Sequence, residues 1–223
     1  MSVAWWAVSP FSALPAPQRN SQGHFCNLPA GQYDIIYPTK EFLWQKNQKN
    51  LQPKKSQDYI QRTLVVLKPD TVQRGIIGEV IQRFERVGLK IVGMKMVMPD
   101  EHLYRQHYED IGQMITRRGE QVFRYNVEYM MTGPVIAMVL EGVEAQPLVR
   151  KIVGPTEPKS AEMGTIRGDF SHMSFGYSDA KGTGVPNLVH ASGSIEEAKK
   201  EIDLWFNGNE LYDYSDLNEK YTR

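Results

Sequence analysis

The chain has 223 residues and a mass of 25.5 kDa, enough for one domain or two small ones, and its 41% apolar and 23% charged residues suit a protein with a buried core. Its 26 Lys and Arg balance 26 Asp and Glu, so no basic excess serves nucleic acid phosphates and a dedicated DNA-binding protein is disfavoured. The single cysteine, Cys26, excludes an intrachain disulfide and a four-cysteine zinc site, which fits a reducing, cytoplasmic setting.

Neutrality hides an asymmetry. Residues 1–57 hold six basic residues against two acidic, a net +4, and the remainder holds 20 against 24, a net −4. The first segment also carries six of the 13 prolines and no sustained helical or strand period, so 1–57 reads as a low-order tail and 58–223 as one folded domain. A secretory signal is disfavoured, because no Lys or Arg precedes Arg19 and Ser9-Pro10 interrupts the apolar run. No stretch approaches the roughly 18 apolar residues of a membrane span.

From Asp58 onward short apolar runs alternate with helical periods. Arg62 to Leu67 is a β-branched run stopped by Pro69 and reads as a buried strand. Ile77, Val80, Ile81, Phe84 and Val87 recur at helical spacing, with Gly88 as the stop. Leu89 to Met98 reads as a second strand, Asp100 to Tyr108 as a short helix, and Gln113 to Met131 as helical with a break near Gly119. Pro134 to Leu140 is a third strand and Gln146 to Val153 a helix. A long polar loop from Gly154 then leads to a short strand, Leu188 to Ala191. Ser194 opens the last helix, with Glu197 at capping-box spacing and Ile195, Ala198, Ile202 and Trp205 as the buried stripe. A β-α-β-β-α-β antiparallel sheet with helices on one face, and extra helices between the second and third strands, accommodates this order.

The usual catalytic motifs are missing: there is no G-x-x-x-x-G-K-[ST], H-E-x-x-H, C-x-x-C or G-x-S-x-G. Gly182-Thr183-Gly184 lacks the third glycine and the preceding strand of a dinucleotide loop. What remains is a set of cations and one histidine. Lys68 ends the first strand, Arg150 comes from a helix, and Arg167 sits in the glycine-bearing segment Gly164 to Phe170. Each alone reads first as a solvated surface charge. His24 is in the tail, His102 and His107 lie on a polar helix where solvation is the default, and His172 is in a loop. His190 differs, because it ends an apolar strand four residues before a helix N-cap, where backbone N–H groups favour an anion. A hydrogen-bonded core histidine is the alternative. Glu201 lies at the margin of the buried stripe, where its carboxylate can fix an imidazole tautomer.

Residues 60–223 resemble the nucleoside diphosphate kinases. The resemblance rests on Arg62 to Asp70, Val72 to Gly75, Thr132 to Val135, Gly164 to Phe170, Asn187 to His190 and Ser194 to Ile202 followed by Trp205-Phe206, six blocks in the family's order. It implies a ferredoxin-like α/β sandwich that moves a γ-phosphate, typically from ATP, to a nucleoside diphosphate through a phosphohistidine in ping-pong fashion. His190 matches the nucleophile. Lys68, Arg150, Thr156 and Arg167 match positions that hold the phosphates, and Asn187 one that touches sugar and phosphate. Tyr108 and Ser192 match residues near the histidine, and Glu201 its carboxylate partner. The resemblance further implies Mg²⁺ carried on the nucleotide and a homo-oligomer, hexamer or tetramer; the composition adds the expectation of no membrane partner and disfavours nucleic acid. The chemistry is sound on general grounds. A histidine of ordinary pKa is about three-quarters neutral at pH 7, and clustered cations offset the charge on a transferring phosphoryl group.

Three departures from the family pattern stand out. Ala191-Ser192-Gly193-Ser194 replaces the usual Gly-Ser-Asp-Ser. The segment Ser171 to Pro186 is about ten residues longer than usual, a length often tied to function. The hairpin Glu109 to Phe123 is also longer and is expected to carry the aromatic residue on which the base stacks; strict counting from Gly133 lands on Val122, and the neighbouring Phe123 is the candidate. These departures keep a second reading open, a nucleotide-binding regulatory relative without efficient turnover. A nucleic-acid module using the basic tail is the weakest alternative.

Overall fold

The structure, a computed structural model, describes residues 55–108 and 119–222. All of them fall within one unit, Gln52–Arg223. The expected tail therefore lies outside the described residues, except Lys55 to Gln57.

Four strands form the sheet: β1 (Ile60–Leu67), β2 (Lys90–Val97), β3 (Val135–Val143) and β4 (Val189–Ala191), in the order β2-β3-β1-β4 with every pair antiparallel. Between them run α1 (Pro69–Gln73), α2 (Ile77–Glu85), α3 (Glu101–Gln106), α4 (Glu120–Met130), α5 (Ala145–Val153), α6 (Ile166–Phe170) and α7 (Phe175–Lys181), and α8 (Ile195–Trp205) and α9 (Glu219–Thr222) follow β4. The result is the expected ferredoxin-like α+β sandwich with additional helices.

Helices cover both faces of the sheet and not one. Leu64 and Val66 of β1 point into a cluster with Tyr104, Phe123, Trp205 and Val135, while Val65 and Leu67 point into a second cluster with Phe84, Val149 and Ile136. Side chains alternate across a strand, so a run buried at every position from Leu64 to Leu67 requires cover on both sides. That is the physical meaning of the uninterrupted apolar run.

Pro69 stops β1 and also starts α1, because its fixed φ suits the first helical turn. The loop from Gly154 holds α6 and α7, capped by the hydroxyls of Thr165 and Ser174, which accept the Gly168 and Tyr177 N–H groups. Ser194 caps α8 by accepting the Glu197 N–H at 3.1 Å. Glu197 reaches back one residue further than a capping box requires and accepts the Gly193 N–H at 2.9 Å.

Candidate active site

The centre of the site is β4. His190 is the middle residue of this edge strand and pairs with Val66 of β1, and its Nε2 lies 2.8 Å from Glu201 Oε1 on α8. Glu201 is buried, and its other oxygen accepts the hydroxyl of Ser192, which itself receives the Leu64 N–H. Burial works against the Glu201 charge, but the His190 ring outweighs it and the carboxyl is held down to about 2. Glu201 is thus ionised at neutral pH and accepts a hydrogen bond from the Nε2–H of the ring. Nδ1 of His190 is then the nitrogen available for chemistry.

A strained turn aims this strand. Leu188 has φ +71° and the Val189 N–H donates to Asn187 O at 2.8 Å, which makes a γ-turn centred on a bulky residue. Its polar groups are all tied down. The Leu188 N–H donates to Asp70 Oδ2 at 3.1 Å, and its carbonyl accepts from the Lys68 N–H at 2.8 Å and from Thr71 Oγ1 at 2.6 Å. The start of α1 thereby holds a turn that would cost about 1–3 kcal/mol in isolation, and both Asn187 and His190 reach one cleft.

That cleft encloses about 690 Å³ and is lined at one end by Lys68, Arg150, Thr156, Arg167, Asn187 and His190. Another concavity of similar size, about 660 Å³, lies among the Ser56–Tyr59 turn, Asp213 and Glu219 and gathers no comparable set of cations. Lys68 is buried, and burial followed by the Arg167 charge brings its ammonium down to about 8. Burial and the Arg150 charge push Arg167 down as well. Arg167 is fixed by three backbone carbonyls, with Nε to Asn187 O at 3.1 Å, Nη1 to Gly154 O at 2.8 Å and Nη2 to Val189 O at 2.5 Å. One N–H remains on each terminal nitrogen. Crowded cations of this kind are relieved by an anion such as phosphate.

Two orphan atoms face the same space. Tyr108 OH and Asn187 Oδ1 are buried without a protein hydrogen-bond partner, while Asn187 Nδ2 is anchored on Thr156 O at 2.8 Å. An unpaired buried polar atom costs about 1–3 kcal/mol, a cost that a hydroxyl-bearing ligand removes. Of the carboxylates that line the cleft, Glu201 holds His190 and Ser192 and Glu197 holds Gly193. His107, His190 and Glu201 bring ligand atoms within 4.8 Å of one another, but His107 Nδ1 is taken by Trp205 and the Glu201 oxygens by His190 and Ser192, so the donor set suits a divalent cation that arrives on phosphates better than one held by the protein. Glu197 Oε2 lies 2.5 Å from where a Cβ on Gly193 would stand, so its carboxylate fills the place of the side chain absent at 193.

All four residues expected around the nucleophile, His190, Glu201, Ser192 and Tyr108, come together, as do Lys68, Arg150, Thr156, Arg167 and Asn187. Phe123 does not join them. It is 1% exposed in the core beneath α4, so it has no face to offer a base, whereas Val122 lines the cleft. The Thr183-Gly184 pair lines the far end of the cleft, not as a dinucleotide loop but as the exit of α7.

His107 also departs from expectation. It is 2% exposed, its ring meets His190 edge to face at 4.3 Å, and its Nδ1 accepts the Trp205 indole N–H at 3.3 Å. Burial and the neighbouring His190 bring it down to about 3. His107 therefore stays neutral and adds bulk without charge beside His190. A sequence signal existed: Leu103, Tyr104, His107 and Tyr108 share one face at helical spacing.

A model of the family described as nucleoside diphosphate kinase matches residues 61–211. The chain belongs to the nucleoside diphosphate kinase family. The nucleoside diphosphate kinase of Borreliella burgdorferi is 48% identical over 157 residues, covering 70% of this chain and 92% of that relative. Human nucleoside diphosphate kinase A is 41% identical over 155 residues, covering 70% and 91%. Among solved structures, a transition state mimic of the Borrelia burgdorferi nucleoside-diphosphate kinase with bound vanadate and ADP matches with a TM-score of 0.72 at 45% identity, over 74% of this chain and 98% of that one. The halophilic Halobacterium salinarum enzyme in complex with CDP matches with a TM-score of 0.62 at 37% identity, over 72% and 98%. The chain is accordingly an enzyme, a nucleoside diphosphate kinase that binds nucleotides and transfers phosphoryl groups between them. No helix among the described residues is long and apolar enough to cross a membrane.

Proposed function

We propose that His190 carries the phosphoryl group. Nδ1 attacks the γ-phosphorus of a nucleoside triphosphate, typically ATP, the bond from that phosphorus to the β–γ bridging oxygen breaks, and the diphosphate leaves with the electron pair. A terminal phosphate oxygen of a second nucleoside diphosphate then attacks the same phosphorus and the histidine is released. The observation that carries this reading is the 2.8 Å contact of Nε2 with an ionised, buried Glu201, which leaves Nδ1 as the nucleophile.

Lys68, Arg150 and Arg167 offset the charge of the transferring group, with Thr156 beside them. Asn187 and Tyr108 supply the polar atoms that lack partners in the protein. Magnesium carried on the nucleotide would add positive charge that offsets the phosphate oxygens, alongside Lys68, Arg150 and Arg167. Because donor and acceptor use one cleft in turn, ping-pong kinetics follow. Incubation with γ-labelled ATP tests the reading, since a phosphohistidine survives alkali and is lost in acid.

A domain over 58–223 with a separate tail over 1–57 is supported by the start of β1 at Ile60 and of the family match at residue 61. Assembly into a homo-oligomer is supported by the edge position of β2 and the exposure of its Met94 and Met96 and of Met98 just beyond it, an apolar strip on an edge strand. Light scattering of the full chain would report its mass. The single cysteine suits the cytoplasm, where nucleotides are made and used.

A further inference from the structure

The far end of the cleft carries a feature that phosphate chemistry does not use. Phe175 and Asp179 of α7 and Thr183 at its exit all line it. The four-residue spacing of Phe175 and Asp179 places them on one stripe of the helix, and Thr183 follows just past the left-handed C-cap Gly182. Across from them stand Val122, Tyr125 and Asn126 of α4. The α7 segment is fastened on both sides. The Phe175 N–H donates to Glu157 Oε1 at 2.9 Å and the Lys159 N–H to Met173 O at 3.0 Å. On the other side Gly184 approaches α4 so closely that a Cβ there would lie 2.8 Å from both Tyr125 O and Tyr129 Cβ. The stripe is thus presented in a preset position.

Asp179 is the informative member. Its side chain is exposed where it borders the cleft. A carboxylate in a cleft for a polyanion opposes binding, unless it accepts hydrogen bonds from a part of the ligand distant from the phosphates. Resting on the phosphoryl-transfer reading of this cleft, we propose that α7 reads the nucleobase, with Asp179 accepting from N1–H and the 2-amino group of guanine. Guanine offers two adjacent N–H donors on its Watson–Crick edge, matching the two oxygens of one carboxylate. Adenine and cytosine present one amino group beside a ring-nitrogen acceptor, and uracil one N–H between two carbonyls, so each sets an acceptor against the carboxylate.

Titration of the full chain with GDP and with inosine diphosphate, whose base lacks only the 2-amino group, tests this directly. GDP is expected to bind about tenfold more tightly, and Asp179→Ala is expected to narrow that ratio to about twofold or less. Equal affinity of the wild-type chain for the two, or a GDP preference that survives Asp179→Ala, overturns the inference. Binding of neither by the wild-type chain overturns it together with the reading of the cleft on which it rests.

Discussion

Glu201 Oε1 lies 2.8 Å from His190 Nε2, and this one contact leaves Nδ1 as the ring nitrogen without a carboxylate partner among the described residues. The carboxylate is itself oriented by the Ser192 hydroxyl, which is seated on the backbone of Leu64. Nucleophile, partner and support thus come from β4, α8 and β1, and their geometry is set by the packing of the sheet.

Replacing Glu201 with Gln keeps the shape and removes the charge that holds the Nε2 proton. Glu201→Gln is expected to lower kcat on the order of 10²-fold, with a much smaller change in nucleotide affinity. Steady-state kinetics together with equilibrium binding separate the two. An equal loss in both would mean that Glu201 serves folding of the cleft and not orientation of the ring.

His107 makes stability acid-sensitive. Its folded-state value of about 3 lies below the ordinary 6.5, so the unfolded chain takes up a proton first as pH falls. Stability conferred by the neutral ring is complete above pH 6.5 and is lost as pH falls toward 3. Between pH 7 and 5 the loss from this group is about 2 kcal/mol. His107→Gln keeps an acceptor for the Trp205 N–H but cannot ionise there, so denaturant unfolding of this variant is expected to show a smaller drop over that interval.

Much of this arrangement is legible in the sequence, and what is not has identifiable physical reasons. The strands are carried by apolar runs, and α2, α5 and α8 by strong helical periods, because burial on a sheet enforces periodicity. Residues α6 and α7 span are short and polar, so only the caps Thr165 and Ser174 mark them. Pro69 reads as a stop, yet it also begins α1. The convergence of Lys68, Arg150 and Arg167 is legible only through the family pattern, since they are far apart in the chain. His107 is hidden by its polar name, and Phe123 sits one position from the cleft because adjacent helical residues face different ways.

That last point has a direct test. Phe123→Ala is expected to destabilise the fold by about 3–5 kcal/mol, the cost of emptying a buried aromatic site. Affinity for nucleotide, measured below the unfolding transition, is expected to change little by comparison. A loss of affinity without loss of stability would return Phe123 to the cleft.

Lys68 predicts a proton linkage. At about 8 its ammonium is partly deprotonated above that pH, and a phosphate beside it restores the charge. Nucleotide binding is therefore expected to take up protons between pH 8 and 9 and not at pH 6.5. Calorimetry in buffers of different ionisation enthalpy reads this directly, and Lys68→Met is expected to abolish the uptake.

Removal of residues 1–54 preserves the Ser56–Tyr59 turn and all of the sheet. The truncated chain is expected to retain kcat and KM, as measured by coupled assay. A loss of activity would assign the basic tail a part in catalysis.

The central claim is that His190 accepts the phosphoryl group, and γ-labelled ATP tests it most directly. The wild-type chain is expected to take label that withstands alkali and is lost in acid, and His190→Ala is expected to take none while still binding nucleotide through Lys68, Arg150 and Arg167. Label that persists in His190→Ala, or nucleotide binding by the wild-type chain without any label, would contradict it.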